Sequence, residues 1–228
     1  MVADEKITEL EGRIGYTFHD RELLKLALTH SSYSNELKIN RYGNYERLEF
    51  LGDAVLELMS SQFFYKEYPE MSEGELTRLR SSIVCEMALA SCARQIGLQD
   101  YILLGKGEEG TGGRARDSII SDVLEAVLGA LYLDGGFDTA NEFVLKYVLT
   151  DLDHKKLFYD AKTILQELMQ KEGKELVYEL VGESGPDHDK RFRVSAVVDG
   201  TTEGTGEGKS KKAAEQMAAY EVLLKENK

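Results

Sequence analysis

The sequence contains no tryptophan, only two cysteines and four histidines, and no uninterrupted apolar run long enough to span a bilayer. Each shortage removes a class of explanation. Cys85 and Cys92 stand seven apart on a helical pattern, with no CxxC and no further cysteine to pair with, so they read as buried thiols of a reducing cytoplasm. Neither histidine nor cysteine falls at zinc-binding spacing. The acidic, amphipathic start MVADEKITEL is unlike a secretory signal. Basic residues are the minority: 28 Lys and Arg face 41 Asp and Glu, for a net charge of −13 and a pI of about 4.9. Bulk charge of that sign argues against a nucleic-acid partner. Salt screens bulk charge beyond roughly 8–10 Å, however, so a local lysine cluster can dominate its own surface.

The 228 residues, 42% of them hydrophobic, allow one large domain or two smaller ones. Apolar spacings of three and four predict helices over 4–13, 20–27, 45–65, 72–83, 86–96, 117–133 and 138–149. SEGE at 72–75 reads as a capping box, and Asp138 is placed to cap the helix after the Gly135–Gly136 turn. GKGEEGTGG (105–113), with five glycines in nine residues, reads as a flexible surface loop. The pattern changes after about residue 160. A helix over 161–171 is followed by two strands rich in Val, Tyr and Phe, in ELVYELVGES and KRFRVSAVVDG, with a turn at 185–187 between them. A short third strand through Thr201 and Thr202 leads to the glycines at 204, 206 and 208, and an alanine-rich helix closes the chain. The expected organisation is an all-α domain over 1–153, a linker over 154–160 and an α-β-β-β-α domain over 161–228.

The apolar helix at 45–65 carries three acids. At about 100° per residue, Glu46, Glu49 and Asp53 fall within roughly 60° of one another. The second apolar helix, at 117–133, holds Asp122 and Glu125 three residues apart. Helices this apolar are normally buried, and ionised acids inside them require hydrogen bonds, a basic partner or a metal. Two such faces meeting would form an all-oxygen pocket, which suits Mg²⁺ or Mn²⁺ and equips a protein for metal-assisted phosphodiester hydrolysis. The plain alternative is solvated acids, or acids paired with an arginine such as Arg47. Paired acids also serve glycosidases, but five acids with no tryptophan platform fit that chemistry poorly.

NYERLEFLGDAVLEL (44–58) resembles the signature of the ribonuclease III family, whose core is E-R-L-E-F-L-G-D-S. The core is kept from Glu46 through Asp53, and Ala54 replaces the common Ser without touching a carboxylate. LTHSSYSNE (28–36), LGKGEEGTGGRARDSIISD (104–122) and LEAVLGALYLDGG (124–136) resemble the family too. KTILQELMQ, GPDHDKRFRV and GKSKKAAEQMAA resemble the three characteristic segments of a double-stranded RNA-binding domain. The resemblance implies an all-α nuclease domain followed by an α-β-β-β-α double-stranded RNA-binding domain. It implies an endoribonuclease that cuts duplex RNA as a homodimer, using Mg²⁺ with Mn²⁺ as a substitute, and needs neither a membrane nor a nucleotide cofactor. Glu49, Asp122 and Glu125 would hold metal with Asp53 beside them, Glu125 and Asp53 would serve catalysis, and Glu46 would handle substrate or meet the dimer partner. Products would carry 5′-phosphate and 3′-hydroxyl ends with short 3′ overhangs, from ribosomal precursors and messengers. Phe50 fits either a dimer contact or the core.

The closing helix opens with Lys209, Lys211 and Lys212, where free N–H groups already favour phosphate. Duplex RNA is read mainly by shape, through minor-groove 2′-hydroxyls and phosphates. Gln166, Glu167 and His188 are the candidates for the minor grooves, and Lys190 is a further contact. A solvated lysine run is the alternative. GTGEGKS is not a nucleotide P-loop, because the spacing requires glycine where Glu203 stands. Residues 161–228 hold 11 basic and 13 acidic residues, a net of −2, against 17 and 28, a net of −11, in the first 160. Acidity therefore concentrates in the half that carries the paired carboxylates.

Overall fold

The computed structural model describes residues 4–38, 43–185, 190–208 and 210–226. The chain divides into two compact units, Met1–Thr150 and Asp151–Lys228. The first is helical: α1 (Asp4–Ile14), α2 (Arg21–Ala27), α3 (Ser31–Glu36), α4 (Glu46–Glu67), α5 (Glu73–Ile83), α6 (Glu86–Ile96), α7 (Lys106–Gly110) and α8 (Asp117–Phe143). No helix among the described residues is long and apolar enough to cross a membrane.

Local chemistry sets the helix ends. Asp20 accepts the Glu22 N–H at the start of α2, and Ser72 with Glu75 forms a full capping box on α5. Gly97, at φ 82°, ends α6 in the left-handed conformation that L side chains avoid. The stretches expected at 117–133 and 138–149 are joined: α8 continues to Phe143, broken only at Gly136 (φ 76°, ψ −171°). Asp138 thus lies in the first turn after the break rather than at the cap. The glycine-rich 105–113 segment is also more ordered than a free loop, because neighbours tie it down. The Gly105 N–H donates to Ser32 Oγ at 2.9 Å, the Lys106 N–H donates to Glu36 at 2.7 Å, and Arg114 grips both the Glu109 carboxylate and the Gln99 carbonyl.

The core of this unit lies between α4 and α8. Leu48, Val55, Leu56 and Met59 of α4 are buried, as are Ile120, Val123, Leu124, Val127 and Leu131 of α8. The two backbones touch where both helices carry glycine. A Cβ on Gly52 would stand 1.8 Å from the Glu125 carbonyl oxygen, and one on Gly129 would stand 2.3 Å from that of Leu48. No side chain fits at either position while the helices stay this close.

The second unit comprises α9 (Leu152–Tyr159), α10 (Ala161–Glu172), β1 (Leu176–Ser184), β2 (Arg191–Val198), β3 (Thr201–Gly208) and α11 (Lys211–Glu226). The 154–160 segment, expected as a linker, falls largely within α9. It packs on α10 and α11, and Gln216 of α11 donates to the Phe158 carbonyl at 2.8 Å. The strands form one antiparallel sheet in the order β1-β2-β3, with Tyr178 opposite Ala196 and Ala196 opposite Gly204. Ala161, Leu165, Met169, Ala196, Ala218 and Val222 form its core. The third strand is longer than expected and contains its glycines. At the alternate positions 204, 206 and 208 a Cβ would meet α11 backbone at 2.5, 2.2 and 2.6 Å. Strand side chains alternate faces, so this spacing clears one face for the alanines of α11.

Gly52→Ala is expected to lower the melting temperature. Overpacking of this kind destabilises by about 1–3 kcal/mol, more than the roughly 0.5–1 kcal/mol that alanine gains over glycine in a helix. Gly74→Ala in α5, where the new Cβ meets nothing within 4 Å, is the control and stays neutral or stabilises. Thermal denaturation of both variants decides; equal behaviour would refute the close-contact account.

Candidate active site

The acids flank the glycine contact. Glu49 lies one turn before Gly52 and Glu125 one turn before Gly129, so the separation of the two backbones sets the separation of the carboxylates. Oxygens of Glu49, Asp122 and Glu125 all lie within 4.8 Å of one another, and the three residues are half-buried. Asp53 is exposed at the rim, where its charge acts on both Glu49 and Glu125. Glu46 is exposed and outside the group of three, although its charge reaches Glu49. The fold thus brings three of the five singled-out acids together, sets Asp53 beside them and leaves Glu46 further out.

Every influence on the two glutamates opposes ionisation. Burial, then the charge of Asp53 and of the other two acids, pushes Glu125 up to about 8. Burial, then Asp122, Glu46 and Asp53, pushes Glu49 up to about 7. Burial also raises Asp122, against a hydrogen bond from Tyr45. Two carboxylates about 5 Å apart repel by about 3 kcal/mol at an effective dielectric near 20, so all three do not ionise together without a cation. Among the described residues no lysine, arginine or histidine forms an ion pair with Glu49, Asp53, Asp122 or Glu125. The donor set fits a hard divalent ion. Oxygens around Mg²⁺ at about 2.1 Å lie at most about 4.2 Å apart, so small side-chain rotations close the group onto an ion.

Two further residues border the group, and the sequence reading singled out neither. Tyr45, 3% exposed, sits at the start of α4 and donates its hydroxyl to Asp122 Oδ2 at 3.3 Å. His30 lies against the Tyr45 ring, with centroids 5.6 Å apart. Burial keeps His30 on its neutral side. The available signal was position: Tyr45 directly precedes the acidic helix, and His30 falls in the LTHSSYSNE segment.

In the second unit, Ser210 caps α11 by accepting the Ala213 N–H, which places Lys211 and Lys212 in the exposed first turn. The ammonium groups of Lys190 and Lys211 stand 5.6 and 5.9 Å from the centroid of the Phe192 ring, so strand and helix deliver charge to one place. Lys190 also pairs with Glu183 at 2.6 Å, an exposed contact of the kind that contributes little and yields to a competing anion. Gln166 and Glu167 are exposed on α10. His188 and Lys209 lie outside the described residues.

The Ribonuclease-III-like family model matches residues 20–152, and the Double-stranded RNA binding motif model matches residues 161–226. A protein named Ribonuclease 3 from Bacillus velezensis is 48% identical over 98% of this chain and 91% of its own length. One of the same name from Clostridium acetobutylicum is 48% identical over 98% of both chains. The solved nuclease domain of ribonuclease III from Campylobacter jejuni, described for flexibility in a region involved in its dimer formation, is 40% identical with a TM-score of 0.58, over 62% of this chain and 95% of that one.

The raised carboxyls predict a sign for the pH dependence. Glu49 and Glu125 hold protons more tightly in the folded protein than at their ordinary value of 4.5. Without metal, this contribution to stability is therefore lost as pH rises from about 4.5 through about 8. Glu125→Gln cannot acquire the unfavourable charge. In EDTA its melting temperature should gain on that of the unsubstituted protein between about pH 5 and about pH 8.5. A difference that stays constant across this range would contradict the burial of the site.

Proposed function

The chain belongs to the ribonuclease III family of endoribonucleases that act on double-stranded RNA, and on that premise we propose that it hydrolyses duplex RNA with Mg²⁺, Mn²⁺ serving as a substitute. The observation that carries the reading is the half-buried group of Glu49, Asp122 and Glu125, whose oxygens lie within 4.8 Å of one another, in a chain that also carries an RNA-binding unit. These three would hold the ion, with Asp53 beside them. Such an ion, when bound, supplies Lewis acidity toward a phosphodiester and makes water a better nucleophile.

The chain's own residues do the rest. The carboxylates fix where the ion sits. Glu125 and Asp53, whose charges act on each other, would serve the chemistry, and exposed Glu46 would meet substrate or a second copy. Lys190, Lys211 and Lys212, with Lys209, bind phosphates. Gln166, Glu167 and His188 would contact the minor grooves. Phe50 is 80% exposed, and Leu58 and Tyr65 are exposed further along α4, which supports homodimerisation through that helix. Cuts on both strands would leave 5′-phosphate and 3′-hydroxyl ends with short 3′ overhangs, on ribosomal precursor and messenger RNA in the cytoplasm. The nuclease part would occupy 1–153 and the RNA-binding part 161–228.

Incubation with a long RNA duplex in Mg²⁺, then in EDTA, followed by sequencing of the product ends, tests the reading. Glu125→Gln should bind duplex as before and fail to cut it. Cutting at the unsubstituted rate would overturn the site. Binding should weaken steeply with salt, because phosphate contacts release counterions. Lys211→Ala and Lys212→Ala should each reduce the slope of log affinity against log salt by about 1. Unchanged slopes would remove these lysines from the interface.

A further inference from the structure

We propose that Tyr45 is a positioning residue for metal binding: its hydroxyl holds the Asp122 carboxylate in the rotation that ligation requires. The inference rests on the reading of Glu49, Asp122 and Glu125 as metal ligands.

Tyr45 is held by its backbone and by its ring. Its backbone N–H donates to the Thr29 carbonyl at 2.9 Å, and the next residue is anchored as well, the Glu46 N–H donating to Asn44 Oδ1 at 3.2 Å. Its face meets His30 at an interplanar angle of 57°. His30 is itself fixed, because Nδ1 accepts the Ser32 N–H at 3.1 Å and lies 2.7 Å from Ser32 Oγ. Ser32 Oγ in turn accepts the Gly105 N–H at 2.9 Å, and the His30 N–H donates to the Leu103 carbonyl at 3.1 Å. The phenol therefore reaches Asp122 on α8 from the start of α4, braced against the α2–α3 corner.

A buried ring of this size needs no hydroxyl for packing, and a hydroxyl taken from water is destabilising unless it finds a partner. The partner here is a carboxylate that its acidic neighbours push away. The hydrogen bond to Oδ2, together with one from Ser121, restrains the rotation of the Asp122 carboxylate beside Glu49 and Glu125. Outer partners of this kind typically change metal affinity by about 10–100-fold when removed. The 3.3 Å separation is long for an O–H···O bond, which places the effect at the lower end of that range.

The test is Mn²⁺ binding to the full chain without RNA, read from the electron paramagnetic resonance of the free ion, for the unsubstituted protein, Tyr45→Phe and Asp122→Asn. Tyr45→Phe keeps the ring and removes the hydroxyl. It should weaken Mn²⁺ binding about tenfold and leave the metal-free melting temperature in place. The Mg²⁺ midpoint of duplex cleavage should rise by the same factor, with the rate at saturating Mg²⁺ restored. If Tyr45→Phe binds Mn²⁺ normally while Asp122→Asn has lost it, the positioning role is wrong and the ligand assignment stands. If Asp122→Asn also binds normally, the ligand assignment itself is wrong. A loss of affinity matched by a fall in the metal-free melting temperature would assign Tyr45 to packing and overturn the proposal.

Discussion

The backbone contact between α4 and α8 at Gly52 and Gly129 is the constraint on which the active site depends. Each glycine lies under the other helix's carbonyl at a distance that admits no Cβ. Packing through larger side chains holds helix axes about 8–10 Å apart. The reciprocal glycines bring the two backbones into contact, and the carboxylates one turn away come with them. Oxygens within 4.8 Å of one another follow from that approach, which buried apolar side chains of both helices hold in place.

The crowding has an electrostatic consequence. Like charges in a half-buried group destabilise the metal-free fold, and here every influence on Glu125 opposes its ionisation. Natural proteins tolerate such strain mainly at functional sites, where a ligand completes the balance. The same logic reconciles an acidic protein with a polyanionic substrate. Charge of −11 in the first 160 residues repels RNA at long range, but screening confines that field. At contact, a bound divalent ion would offset much of the negative charge of the site, and lysines gathered around Phe192 and the first turn of α11 supply positive charge elsewhere.

Glycine serves the second unit in a related way. The alternate glycines of β3 let α11 settle onto the sheet through its alanines. Read from the sequence, these glycines lay beyond a short third strand, and in GTGEGKS they imitated a nucleotide motif, because local propensity assigns glycine to turns. Nothing local distinguishes a glycine that frees the backbone from one that clears space for a neighbour. The glycine-rich 105–113 segment was misread for the same reason: its order comes from Ser32 and Glu36, far away in the chain.

Helical periodicity, the capping box, the change to strands after residue 160 and the acidic faces of two apolar helices were legible in the sequence, because each depends on residues within a few turns of one another. So were the family motifs that pointed to the nuclease and the RNA-binding domain. The helix at 152–159 was not, because its place rests on packing against α10 and α11. Nor was the division of labour among the five acids. Which of them meet is decided by how closely two helices cross, and which stand beside Tyr45 is decided by a corner some fifteen residues upstream, at Thr29 and His30. Spacing along a chain sets the face a side chain occupies; only the approach of a second element sets its neighbours, its burial and hence its charge.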